Sequence, residues 1–177
     1  SGMANAAVTL SDEWSAFHNI AGIVNDKDNT ISLWYKNNFG IQGLKQTAMS
    51  CTRNLRSGAI ASSFYRYGSE EYRLNRIAFG YAHKIDKVRL GIQVNYNQVS
   101  IPEQDTKAAV VVEMGGIVEL IPSTLFFGAS VCNITQAFRN GSLLPVILKA
   151  GLSYRIQNKI MLNGEVEKDI HYKPTVK

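Results

Sequence analysis

Val88-Arg89-Leu90-Gly91-Ile92-Gln93-Val94-Asn95-Tyr96-Asn97 alternates without a break. In an extended chain Val88, Leu90, Ile92, Val94 and Tyr96 share one face, and Arg89, Gly91, Gln93, Asn95 and Asn97 share the other. A period of two residues is the signature of a β-strand. The pattern recurs in 145–155, where Val146, Leu148, Ala150, Leu152 and Tyr154 oppose Ile147, Lys149, Gly151, Ser153 and Arg155. It recurs again in 108–120, where Val110, Val112, Met114, Val118 and Leu120 oppose Val111, Glu113, Gly115, Ile117 and Glu119. Similar strands are predicted near 30–35, 46–54, 57–66, 73–85, 123–132 and 158–168, with a tenth beginning at the C-terminal end. The fold class is all-β.

Composition narrows the setting. A chain of 177 residues is one domain, or two only if both are small. The net charge of +5 comes from 19 Lys and Arg against 14 Asp and Glu, scattered along the chain. No basic stripe forms, so a nucleic-acid partner is not expected. Hydrophobic residues at 45% exclude disorder. A mean hydropathy of -0.09 argues against a bundle of membrane helices. The longest uncharged stretch, Leu120 to Phe138, holds Pro122, Ser123, Asn133 and Gln136 and is no membrane helix. Two cysteines make no disulfide scaffold, and Cys51 and Cys132 are expected at opposite rims. No secretory signal is visible at Ser1-Gly2-Met3, and both ends read as cut, as in a fragment of something longer.

Alternation cannot say which face is wet, because a soluble barrel and a membrane barrel share the pattern. Three features discriminate. Short connections at Arg56-Ser57, Asp86-Lys87, Pro122-Ser123 and Gln157-Asn158 alternate with longer ones near 67–72, 100–106 and 133–144. Outer-membrane barrels place short turns on one side and loops on the other. Gly80, Gly91, Gly115, Gly128 and Gly151 all fall mid-strand on the polar register. Repeated glycine on one face suggests a curved wall whose inner side is crowded. Tyr65, Tyr96, Tyr81 and Tyr154, with Trp34, Tyr35 and Phe127, lie toward strand ends, where amphipathic rings favour a membrane interface. The reading is an antiparallel transmembrane β-barrel of the bacterial outer membrane.

The N-terminal stretch supplies a resemblance. Val8-Thr9-Leu10-Ser11-Asp12-Glu13 and Asn19-Ile20-Ala21-Gly22, after the Gly- and Ala-rich Gly2 to Ala7, are similar to the opening of FadL-like outer-membrane barrels, the PorV/PorQ-like proteins of Bacteroidetes in particular. Those carry an "ALADD"-like segment and then an Asn-Pro-Ala-Gly motif; here Ile20 stands in place of the proline. The resemblance implies about fourteen strands and a segment before strand 1 that plugs the lumen. On that reading residues 1–29 form the plug and 30–177 supply barrel strands. Nine or ten strands are too few to close the family's barrel, so further strands are expected, since open edges are not viable in lipid.

Candidate sites follow. Asn19, Ala21 and Gly22 form the plug motif, and Trp14 and Phe17 are candidates to contact a hydrophobic ligand. The alternative is a short amphipathic helix capped by Ser11, with both rings merely packed. Arg89, Glu113, Glu119, Lys149, Arg155, Glu165 and Glu167 would face the lumen, either tuning passage of a solute or bonding to one another. Tyr67, Tyr72 and Phe138, in the long connections, are candidate partner contacts. His18, His83 and His171 are scattered, and no His-x3-His, Cys-x2-Cys, G-x-S-x-G or phosphate-loop motif appears. Neither an enzyme nor a bound metal or cofactor is expected. Three functions remain: a PorV/PorQ-like accessory to type IX protein secretion, a FadL-like transporter of amphiphiles, or a structural component of a larger outer-membrane complex. The polar lumen set and the loop aromatics favour the first. Expected partners are outer-membrane lipid and other outer-membrane or secreted proteins, with a hydrophobic ligand in the transporter reading.

Overall fold

The computed structural model describes residues 6–24, 29–37, 45–69, 71–102, 105–139, 142–156, 159–169 and 175–176. A single turn of helix, α1 (Ser15–His18), leads into a 3-10 turn (Ile20–Ile23). Twelve strands follow: β1 (Thr30–Asn37), β2 (Lys45–Leu55), β3 (Gly58–Gly68), β4 (Arg73–Ile85), β5 (Val88–Ser100), β6 (Lys107–Ile121), β7 (Leu125–Cys132), β8 (Phe138–Arg139), β9 (Ser142–Leu143), β10 (Ile147–Ile156), β11 (Ile160–Asp169) and β12 (Thr175–Val176). All nine alternating segments are strands. The tenth begins at Thr175 and pairs with β11 through two residues.

The strands pair in chain order, each antiparallel to the last, from β1 through β7 to β10, β11 and β12. Among the described residues only the small antiparallel β8–β9 pair stands aside. Among the described residues β1 and β12 do not pair with each other, so the sheet is open. Chain-order pairing follows from the connections. Two residues join β2 to β3 and β4 to β5, and a tight turn permits nothing but an antiparallel neighbour. Asp86 enters its turn at φ 52, in the left-handed region that Asp tolerates better than most side chains. The four-residue 69–72, the six-residue 101–106 and the long 133–146 lie at the opposite end of the strands.

The apolar face is the bare one. Phe79 is 66% exposed, Leu90 55% and Leu152 50%, while Asn95 on the other face is 0% exposed and Ser153 2%. From Asn75 to Ile156, the outward positions of β4, β5, β6, β7 and β10 carry no Asp, Glu, Lys or Arg. The polar and small-residue face is covered instead by the N-terminal segment, and we call it the inner face. Ala16, Ile20, Ile23 and Val24 of that segment form a buried cluster with Ala59, Ala61 and Ala82 of the strands. Ala21 packs with Ile117 and Phe126.

The five mid-strand glycines explain how the segment fits. A Cβ on Gly80 would come within 2.4 Å of Ile20, on Gly91 within 2.9 Å of Ile20, and on Gly115 within 1.9 Å of Asn19. On Gly128 it would meet the Val8 carbonyl at 2.5 Å, and on Gly151 both the Gly164 carbonyl of β11 at 2.6 Å and the Val8 side chain at 2.9 Å. The glycine row is therefore a bed for both backbone and side chains of Val8 and of residues 19–21. Crowding on the inner side was expected; its source is the segment itself.

Candidate functional site

The docking site of the N-terminal segment gathers most of the singled-out residues. Asn19 is its centre, 3% exposed. Its Oδ1 accepts from the Ala21 N–H at 3.1 Å and so caps the 3-10 turn. Its Nδ2 donates to the Val8 carbonyl at 2.7 Å, and also faces the carbonyls of Gly116 on β6 at 3.2 Å and Ala129 on β7 at 3.3 Å. One amide thus ties two parts of the segment to each other and to two strands. Ala21 is fully buried. Gly22 passes so close that a Cβ would lie 2.2 Å from the Leu10 carbonyl. Asn19 and Ala21-Gly22 therefore have separate tasks, an anchor and a close approach, and neither depends on a proline at position 20.

The first part of the segment is held by a carboxylate. Glu165 on β11, 2% exposed, accepts from the Ala7 and Val8 N–H groups at 2.8 and 2.9 Å through one oxygen. Two backbone donors on one buried carboxylate supply strong charge-assisted bonds. Farther along, Arg89 donates to Ser11 Oγ at 2.5 Å and to the Val24 carbonyl at 3.4 Å. This contact corrects the expected helix cap. Ser11 is engaged by Arg89, and Asp12 takes its place at the turn, accepting from the Trp14 N–H at 2.9 Å. The Asp12 N–H donates to Ser15 Oγ at 2.9 Å in return. Helix then lasts only the four residues of α1.

A polar chain crosses the inner face beneath α1. Gln93 donates to the Ala16 carbonyl at 3.1 Å and to Asn95 Oδ1 at 2.8 Å. Arg76 donates to the same oxygen at 2.8 Å and pairs with Glu113 at 3.4 Å, and the Cys132 thiol donates to Glu113 at 3.3 Å. Arg76 was missed in the sequence, where it is one more arginine in a strand. Gln93 and Asn95 carried a readable signal: two amides on the polar side of a strong strand, where burial would oblige them to find partners. Lys149 pairs with Glu167 at 3.7 Å. Arg155 lies over the Phe126 ring at 4.8 Å, and Glu119 accepts from the Ser123 N–H. All seven lumen candidates lie on the inner face. Arg89 and Glu165 grip the segment, while Glu113, Lys149, Arg155 and Glu167 find partners within the sheet and Glu119 holds the β6–β7 turn.

Trp14 and Phe17 are half-buried and face each other at 5.9 Å. Phe17 meets the Tyr65 ring edge-on at 6.4 Å, with Arg76 5.9 Å above its own ring. Tyr65 is accordingly an inner-face residue rather than part of an outer girdle. Trp34 is also inner by register, opposite buried Ala48. Tyr81, Tyr96, Tyr154 and Phe127 keep outward positions. His18, beside Phe17, has its pKa lowered from 6.5 by desolvation; Asp12 opposes the shift, Lys149 adds to it, Glu165 opposes it and Arg76 adds to it. Tyr67 and Tyr72 meet edge-on at 6.5 Å across the 69–72 connection. Phe138 opens β8, and its side chain lies outside the described residues, as does His171. The cysteines are free; Cys51 is outward in mid-β2 and Cys132 inward at the end of β7, so they are separated by face rather than placed at opposite rims. Comparison with protein-family models, with curated proteins and with solved structures finds no match to this chain.

Proposed function

We propose that this chain is part of the wall of an outer-membrane β-barrel, with residues 6–24 as a lumenal plug, serving as a PorV/PorQ-like accessory that holds exported proteins at its loop rim. The observation that carries the membrane reading is the inverted distribution of side chains. A water-soluble sheet hides Phe79, Leu90, Ile92 and Leu152 and wets Gln93, Asn95 and Ser153; here the reverse holds. A 13-residue strand such as β4 is about 43 Å long at ~3.3 Å per residue, enough to cross the ~25 Å apolar band at a tilt of ~40°. The adaptor role draws its support from the bonded polar chain on the inner face and from the paired Tyr67 and Tyr72 rings at the long-loop end.

A second reading, a FadL-like path for amphiphiles, is favoured by the half-exposed Trp14–Phe17–Tyr65 cluster beside Arg76. Mass spectrometry of the full-length protein, taken from native outer membranes in mild detergent, separates the two. A stoichiometric protein partner without an enriched amphiphile supports the accessory role. An enriched amphiphile without a partner supports transport. Recovery in the soluble fraction overturns both.

A further inference from the structure

The outer face is not a smooth apolar sheet. Where β2, β3 and β4 run side by side, Cys51 lies opposite Ser62, and Ser62 opposite Phe79. Two small outward side chains between larger ones leave a groove of about 660 Å³, walled by Ile60, Phe79, Ile92 and Val94. A smaller hollow continues past Phe79 toward Met49, Phe64 and Ile77. Together the two hollows cover three successive rungs of the ladder, Arg53–Ile60–Tyr81, Cys51–Ser62–Phe79 and Met49–Phe64–Ile77. Toward the two-residue turns stand Arg53 and Tyr81, whose hydroxyl shares a hydrogen bond with His83 Nδ1 at 3.0 Å, and farther along the lining is apolar but for Cys51, Ser62 and Ser63.

Arg53 is the unusual residue. It points outward, two positions from the end of β2, and its side chain makes no hydrogen bond or ion pair among the described residues. The other outward cations of β2, β3 and β11, namely Lys45, Arg66 and Lys168, lie at the long-loop end. Arg53 is the one charged strand residue on the outer face of the described short-turn half. A guanidinium beside lipid seeks an anion, and a phosphodiester fits its fork of donors. An apolar track leading from a cation and a phenol has the chemistry of a lipid, headgroup at one end and acyl chain along the other.

We propose that this groove holds one anionic phospholipid of the leaflet on the short-turn side, its phosphate on Arg53 and Tyr81 and an acyl chain running past Phe79. The site rests on the membrane-wall reading, since in water the groove would have no lipid to collect. The test uses the full-length protein reconstituted into vesicles of equal phosphatidylglycerol and phosphatidylcholine, then extracted and weighed intact by native mass spectrometry. Phosphatidylglycerol should be retained over phosphatidylcholine. Arg53→Gln should lower that retention roughly tenfold, the scale of one charge-assisted contact. Ser62→Phe, which fills the groove and leaves Arg53 in place, should lower it as well. Equal retention of both lipids, or retention unchanged by both substitutions, overturns the site while leaving the membrane wall intact. Failure of the unmodified protein to enter vesicles at all overturns the membrane reading, and the site with it.

Discussion

Asn19 illustrates how much one side chain can carry. Replacing it by Ala removes a cap on the 3-10 turn and a donor shared by three carbonyls, all in a buried place. The loss should destabilise docking by about 3 kcal/mol, given ~1–3 kcal/mol for each buried polar group left without a partner. Hydrogen exchange should accelerate across residues 7–10 and 20–24 while β4 and β5 keep their protection; unchanged exchange in the segment would deny Asn19 its anchoring part. His18 offers a second test. Its folded pKa lies below the unfolded 6.5, so the unfolded chain binds more protons between the two values and stability rises with pH there. The contribution is complete above pH 6.5 and is lost as pH falls through the folded value. An imidazole NMR titration should give a midpoint below 6.5, and a midpoint at or above it would contradict the desolvation argument. Asn19 was legible as a motif residue. Arg76 was not, because its meaning arises only when β4, β5 and β6 bring Asn95 and Glu113 beside it.

At the scale of elements, strands were legible because β5, β6 and β10 alternate clearly and tight turn residues such as Asp86-Lys87 divide their neighbours. Their ends were less so: β2 and β3 each extend a residue or two further along the ladder than the alternation marks. The helix before them was overestimated, since Asp12 and Ser15 satisfy each other locally and Arg89 draws Ser11 away. The glycine row is an element-scale device, and its test is steric. Gly128→Val would set a side chain against the Val8 carbonyl, 2.5 Å from the new Cβ before any relaxation. The segment should lift from β7, and limited proteolysis should cut within residues 6–24 at least tenfold faster, the effect of ~1.4 kcal/mol on a local opening equilibrium. Gly164, where a Cβ meets nothing within 4 Å, is the control; Gly164→Ala should leave cleavage unchanged. Equal rates for both variants would remove the bed from the account.

For the whole molecule, alternation alone is identical for a wall wetted inside and a wall wetted outside, and the sequence was read as the second from its connection lengths, glycines and ring positions. The membrane proposal rests on the partner of each face. The polar face finds residues 6–24, and the apolar face finds nothing among the described residues. Charge placed on that apolar face should therefore be costly only in lipid. Val94→Arg should reduce stability in bilayers by about 2–4 kcal/mol if the position lies near midplane, and far less if the face meets water. Denaturant titration from vesicles reads the difference.

The two native cysteines allow the most direct measurement, because Cys51 points outward and Cys132 inward. A spin label on each in turn, with the other changed to Ser, reports its surroundings in the reconstituted full-length protein. The label at Cys51 should be relaxed by oxygen dissolved in the bilayer and shielded from a water-soluble nickel chelate, while the label at Cys132 should show little exposure to oxygen. A Cys51 label open to the chelate and indifferent to lipid oxygen would contradict the account, and the sheet would have to bury its apolar face against something other than a membrane.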